Sequence, residues 1–264
     1  MVPHLRLRGQ RFLVTRPEGQ GGPLLDGIRA LGGEAEQIPF LGIAPVRGLE
    51  PLQHVADQLT TYRACLFVSA NAIQCAWSTL TRASAGAWPQ DIVTAVVGPG
   101  SAKALRAHGV SQIIVPPSRF DSEGLLEEPF FAEAACRGQA FAMIRGEGGR
   151  NFLAQSLRAR GARVDEVAVY RRELHPDAMR KVEAWVNQTR PDHPPGMLLI
   201  SSSESIQRVM AEATPALAVI LKRCPVLVPH PKIAEAVCQL GFERVAVSEG
   251  GDAGMLAYLQ TYNA

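Results

Sequence analysis

Two groups of residues in this chain have types and spacing suited to chemistry. The first is a tyrosine among arginines, Val167-Ala168-Val169-Tyr170-Arg171-Arg172. Strand alternation puts Tyr170 and Arg172 on one face and Arg171 on the other. A phenol with an unperturbed pKa of about 10 stays protonated at neutral pH and can donate its proton to a leaving group. The plainer reading is an amphipathic strand tyrosine that packs its ring and wets its hydroxyl.

The second group is a set of short loops, each after an apolar run. They are Thr15-Arg16-Pro17, Ser69-Ala70-Asn71, Gly98-Pro99-Gly100-Ser101, Arg145-Gly146-Glu147-Gly148-Gly149-Arg150, Ser201-Ser202-Ser203 and His230-Pro231-Lys232. Small residues there leave backbone N–H groups open at helix starts, where anions bind. For any one serine, a helix N-cap worth about 1 kcal/mol accounts for the residue. Six such loops converging on one cleft would suit a polyanionic ligand. Gly146-x-Gly148 lacks the third small residue of a dinucleotide fingerprint, since Asn stands at 151. Gly98-Pro99-Gly100-Ser101-Ala102-Lys103 has the wrong order for a phosphate-binding Walker loop. No HExxH, GxSxG or paired-carboxylate motif occurs, so neither a metal nor an organic cofactor is expected.

The elements that must position these loops are short. Apolar runs at 11–15, 65–69, 93–97, 112–115, 140–144, 197–201, 225–228 and 244–247 read as strands, with helical patterns such as 149–160 and 232–240 between them. Strand and helix in alternation specify an α/β class with parallel sheets covered by helices on both faces. Three segments recur. Arg16 precedes Gly32 by 16 residues as Arg145 precedes Gly161, each glycine standing where a helix would end in the left-handed conformation. LFVSANAI (66–73) recurs as LISSSESI (199–206), and Ala102 precedes Gly109 by seven as Ala234 precedes Gly241. The order is first, second, third, then first, second, third again. Grouping residues 1–37 with 174–264 makes one lobe, and 48–164 makes a permuted copy inserted into it. Segments 38–47 and 165–173 would then cross between lobes as a two-stranded β ladder. A tandem division at 1–130 and 135–264 competes with this one.

The chain has 264 residues, is 47% hydrophobic and carries a net charge of +2. Such composition excludes disorder and gives no field that argues for nucleic acid. The longest apolar stretch, 216–221, is far short of the ~20 residues that span a bilayer, so no membrane association is expected. No apolar segment follows Arg6, Arg8 and Arg11, so no secretory leader is expected. The cysteines at 65, 75, 224 and 238 read as small core residues, and Cys136, beside Arg137, as a surface one. Reduced thiols point to the cytoplasm, and the lack of heptads or long exposed edges points to a monomer.

These residues resemble the uroporphyrinogen-III synthase family nearly end to end. The pieces that carry the resemblance are Val14-Thr15-Arg16-Pro17, Phe67-Val68-Ser69-Ala70-Asn71-Ala72, Val97-Gly98-Pro99 with Ser101-Ala102, Asp121-Ser122-Glu123-Gly124-Leu125-Leu126, Ile144-Arg145-Gly146-Glu147-Gly148-Gly149-Arg150 and Val169-Tyr170-Arg171-Arg172. The resemblance implies two flavodoxin-like α/β lobes, one inserted in the other and joined by the ladder, with the active site between. It implies cyclisation of hydroxymethylbilane with loss of water and inversion of the last pyrrole, through an azafulvene and a spiro-pyrrolenine, without a cofactor. By position, Tyr170 matches the family's tyrosine, which assists departure of the hydroxyl. Ser69, Asn71, Ser101, Ser122 and Ser202 match loop positions that would bind the substrate's carboxylates. Arg16 and Arg145 would either touch carboxylates or secure their loops. Where relatives show Gly-Pro-Thr-Thr-Ala, this chain has His230-Pro231-Lys232-Ile233-Ala234, with no hydroxyl at 232 or 233, so Lys232 would either bind as a cation in its place or stand as a solvated lysine at a helix start. A two-lobed receptor for an anionic small molecule, without chemistry, is the alternative; it would need no phenol on the ladder.

Overall fold

The computed structural model describes residues 6–82, 86–188 and 194–262. The stretch read above for a leader begins outside them. In chain order the strands are β1 (Arg11–Val14), β2 (Glu34–Gln37), β3 (Leu41–Pro45), β4 (Ala64–Phe67), β5 (Val93–Val96), β6 (Ile113–Ile114), β7 (Ala140–Gly146), β8 (Arg163–Leu174), β9 (Met197–Leu199), β10 (Val226–Val228) and β11 (Val245–Val247). They form two sheets, ordered β2-β1-β9-β10-β11 and β3-β8-β7-β4-β5-β6. The pairs β1–β2, β1–β9, β9–β10 and β10–β11 run parallel, as do β4–β5, β4–β7, β5–β6 and β7–β8. The chain divides into two compact units, Met1–Gly42 with Glu173–Ala264, and Ile43–Arg172.

Taken in chain order, the first unit's strands sit 2-1-3-4-5, the flavodoxin-like arrangement. In the second unit β8-β7-β4-β5-β6 occupy the places of β2-β1-β9-β10-β11, but the chain enters at β4 instead of β7. Both sheets therefore share one spatial order read from two starting points. β3 and β8 are neighbours at the edge of the second sheet, and each carries the chain across the boundary at 42/43 or 172/173.

Each sheet buries both faces by the period-two alternation of its strands. In the first unit Leu13, Leu198 and Ile200 pack with Val182, Trp185 and Ile206 on one side. Phe12, Val14 and Leu199 pack with Leu24, Ile28 and Met255 on the other. In the second unit Cys65, Phe67 and Ile144 meet Ile73, Ala76 and Leu105. Ala64, Leu66 and Met143 meet Leu125, Leu153 and Leu157 on the opposite face. The recurring glycines do what their spacing demands. Gly32, Gly109, Gly161 and Gly241 all have positive φ, between 81° and 89°, just past a helix.

Three features differ from the expectations above. β2, Glu-Ala-Glu-Gln, is a strand with no apolar run; as the edge of its sheet it needs only β1 beside it, and charge suits an edge. β8 is longer than the connector expected at 165–173, because β7 offers it a parallel partner from Arg163 to Tyr170. The cysteines trade places. Cys136 is fully buried, its thiol donating to the Phe131 carbonyl at 3.3 Å, because the short helix Glu133–Cys136 turns that residue inward while Arg137 stays outside. Cys238 is exposed, because its helix Pro231–Gln239 aims Val237 at the core. Burial raises the thiol pKa values of Cys65 and Cys136, and pushes that of Cys224 up to about 12. A thiol reagent added to the folded protein is expected to label Cys238 first. Cys65, Cys136 and Cys224 should react only on denaturation, which mass spectrometry of the labelled peptides would check.

Four of the helices that follow strands begin on side-chain caps. Ser69 accepts from the Ala72 N–H, Asp121 from Gly124 and Ser202 from Ser205. His230 does the same with a ring nitrogen, its Nδ1 accepting from the Lys232 N–H at 3.1 Å. The residue pattern His230-Pro231-Lys232 thus keeps the cap by imidazole where other loops use hydroxyl or carboxylate. Replacing His230 with Ala is expected to lower stability by about 1 kcal/mol, and His230→Asp to hold it within a few tenths. Denaturant unfolding of the variants measures both.

Candidate active site

In open parallel sheets, ligands bind beyond the carboxyl ends of the strands, where the strand order reverses. In the second unit that point lies between β4 and β7, so Ser69 after β4 and the loop after β7 flank it. Tyr170 joins them from β8. Its placement depends on a fault in the ladder: Arg145 pairs with Ala168, but the next residue, Gly146, pairs with Tyr170. The residue skipped on β8 shifts its alternation, as a bulge does. Val164 faces one core of this unit, whereas Val167, Val169 and Tyr170 all join the other. Regular alternation would have sent Tyr170 to the side of Val164.

Tyr170 is 5% exposed, yet its ring borders a cavity of about 280 Å³ at the carboxyl end of the sheet. Its hydroxyl stands 3.1 Å from Ser69 Oγ, and either oxygen can donate. Ser69 Oγ already accepts from the Ala72 N–H, so it is held in place by the helix it caps. The Tyr170 carbonyl accepts from the Glu147 N–H at 2.7 Å. Gly146 lies flat against the ring. A Cβ there would come within 2.5 Å of Tyr170 Cζ, so only glycine leaves room for the phenol.

The loop after β7 is shaped by Arg145. Its guanidinium donates to Glu166 at 2.7 Å, to Asn151 Oδ1 at 2.9 Å and to the Gly148 carbonyl. With only 12% of its side chain exposed, Arg145 holds the loop. Arg150, at the loop's far end, pairs with both oxygens of Glu123. That pairing draws the Glu123 carboxyl below its usual range, and the Gly124 N–H followed by Arg119 draws Asp121 down likewise. Ser122, Arg145, Phe120 and Glu147 line the same cavity as Tyr170. Asn71 sits in the first turn of the helix Ala70–Leu80, and Ser101, buried, in that of the helix Pro99–Ala107.

The first unit repeats the pattern at its own reversal, between β1 and β9. Arg16 follows β1, ion-paired with Asp252 at 2.5 Å, while its backbone carbonyl accepts from the Gln37 amide. Ser202 follows β9 and caps the helix Ser203–Glu212. Lys232 follows β10 with its side chain exposed. Among the described residues no three His, Cys, Asp or Glu side chains gather as a metal site.

The structure thus brings Tyr170, Ser69, Ser122 and Arg145 into one constellation and ties both Arg16 and Arg145 to carboxylates of their own chain. Phe120, Gly146 and Glu147 were not singled out as site residues by the sequence. For Phe120 a signal existed, an aromatic residue in the polar stretch Ser118-Arg119-Phe120-Asp121-Ser122.

A family model described as "Uroporphyrinogen-III synthase HemD" matches residues 23–257. The chain is 31% identical over 248 residues to the uroporphyrinogen-III synthase of Salmonella typhimurium, covering 91% of this chain and 96% of that one. It is 30% identical over 246 residues to that of Escherichia coli K12, with 91% and 96% covered. Its fold is similar to the solved uroporphyrinogen-III synthetase of Helicobacter pylori 26695, with a TM-score of 0.61 at 12% identity, over 96% of this chain and 100% of that. It is also similar to a mutant uroporphyrinogen III synthase from the extremely thermophilic bacterium Thermus thermophilus, with a TM-score of 0.59 at 18% identity and the same coverage. None of these relatives is described as a receptor. By the family match across nearly its whole length, this chain belongs to the uroporphyrinogen-III synthase family.

Proposed function

We propose that this chain is a uroporphyrinogen-III synthase, a hydro-lyase that closes hydroxymethylbilane with loss of water and inversion of the last pyrrole. The observation that carries the reading is Tyr170. A family-matched phenol borders the cavity at the sheet's reversal point, its hydroxyl 3.1 Å from a serine fixed by a helix start.

Loss of the substrate hydroxyl is the step a neutral phenol can serve. Tyr170 Oη donates to the departing oxygen, which leaves as water and generates the azafulvene; the last ring then attacks and passes through the spiro-pyrrolenine. When Ser69 donates to Tyr170 Oη, the phenol's own proton is turned toward the cavity. Such proton donation contributes about 10²–10⁴-fold. Holding a flexible chain so that its tail inverts before joining its head contributes the rest, by fixing a conformation the free chain rarely adopts. Helix starts supply the grip, since backbone N–H groups suit acetate and propionate arms. Ser69, Asn71, Ser101 and Ser122 offer hydroxyl or amide groups at the helix starts of the second unit, and Ser202 offers one at a helix start of the first. Lys232 adds a cation, while Arg16 and Arg145 shape their loops. The reading extends to a monomer in the cytoplasm, which the absence of disulfides among its cysteines fits.

Supplied with hydroxymethylbilane, the protein is expected to yield the inverted isomer, resolved by chromatography after oxidation to porphyrins. Formation of the uninverted isomer alone, at the spontaneous rate, would exclude the reading. Tyr170→Phe should fold normally and lose about 10²-fold or more of kcat, on the scale of general acid catalysis. Gly146→Ala keeps the phenol but displaces it, because the new methyl group and the ring cannot share the space. A loss of about 10²-fold in activity is expected from such a misplacement, with secondary structure by circular dichroism unchanged.

A further inference from the structure

The cavity beside Tyr170 has two features that binding of carboxylate arms does not explain. Phe120 lines it while 54% exposed, an unfavourable position for a large apolar ring in water. The Arg119–Asp121 ion pair, at 2.8 Å, clamps the loop on either side of it. The second feature is charge. Arg145 and Arg150 are neutralised by Glu166 and Glu123, and Asp121 by Arg119. Glu147, by contrast, is exposed, lines the cavity together with Arg172, and makes no side-chain ion pair or hydrogen bond among the described residues. An aromatic face with a carboxylate and a phenol suits a flat ring that bears an N–H donor and develops positive charge. At about 280 Å³ the space falls just below the ~300–1,000 Å³ of pockets for drug-sized ligands and suits one ring, not four.

We propose that this cavity seats the pyrrole ring bearing the hydroxymethyl group, its face against Phe120 and its N–H directed to the Glu147 carboxylate. The proposal rests on the synthase reading and names which part of the substrate Tyr170 meets. The two side chains then act on opposite ends of one elimination. Tyr170 gives a proton to the hydroxyl, the C–O bond breaks and water leaves. The pyrrole N–H proton passes to Glu147, and its electron pair forms the ring C=N bond as the exocyclic C=C bond forms. A neutral azafulvene results, with Tyr170 as phenolate and Glu147 protonated; proton return through solvent resets both. Glu147 is thereby a catalytic residue and Phe120 a specificity-determining one.

Steady-state kinetics and isomer analysis of Glu147→Gln, Phe120→Leu and Phe120→Tyr test the assignment. Glu147→Gln should lower kcat by about 10-fold or more with KM within about twofold, since an amide keeps the shape but cannot take the proton. Phe120→Leu should raise KM by about 3- to 10-fold, the range of an aromatic pair, and Phe120→Tyr should restore it. Wild-type kinetics in Glu147→Gln, or a Phe120→Tyr variant no better than Phe120→Leu, would overturn the proposal while leaving the synthase intact. Failure of the wild-type protein to form any inverted isomer would instead remove the reading on which it rests.

Discussion

The site of the second unit is built on one close approach, the flat side of Gly146 against the ring of Tyr170. Every other placement follows from it. The approach requires that β7 and β8 lose register by one residue at their carboxyl ends, so that Tyr170 turns to the face of Ile144 and Val167. Burial of the ring in that core fixes its position, while Tyr170 still lines the cavity at the end of the sheet. Ser69 can then reach the phenol because its own geometry is set by the helix it starts. A side chain at position 146 would oppose the ring with several close contacts at once. The missing Cβ is what lets the ring of Tyr170 occupy this place.

The two sheets make the same provision from different starting points. Strand order decides where the reversal lies, and the reversal decides where helix starts diverge enough to leave a cavity. Neither depends on where the chain enters, which is why β4 can lead the second unit while β1 leads the first. At four strand ends the same task is met by different chemistry: hydroxyl at Ser69 and Ser202, carboxylate at Asp121, imidazole at His230. The common requirement is an acceptor for an orphan N–H, and several residue types can satisfy it.

Arginine adds the loop geometry. Arg145 and Arg16 occupy equivalent places after β7 and β1, and each is bound to a carboxylate of the same unit, Glu166 or Asp252. A guanidinium so engaged organises backbone amides more than it offers charge. On the proposed reading, anion binding by the loops would rest on N–H groups and hydroxyls, which can be spread along a long flexible substrate better than a few strong cations.

The amino-acid order by itself determined what local periodicity controls. Apolar runs marked β1, β4, β5, β7, β9, β10 and β11 to within a residue or two at most ends, and glycine spacing marked the left-handed helix ends at 32, 109, 161 and 241. The strand alternation fixed the α/β class, and Tyr170 with Ser69 was legible through the family motifs. Tertiary structure decided the rest. β2 is a strand only because β1 lies beside it. Cys136 and Cys238 exchanged their expected exposures because helix orientation, not the neighbouring residue, chose which face was inward. The register shift at Val169 and the contact between Ser69 and Tyr170, 101 residues apart, depend on how distant strands align. Propensity and periodicity act over a few residues, whereas register and side-chain pairing across a sheet exist only once the segments have met.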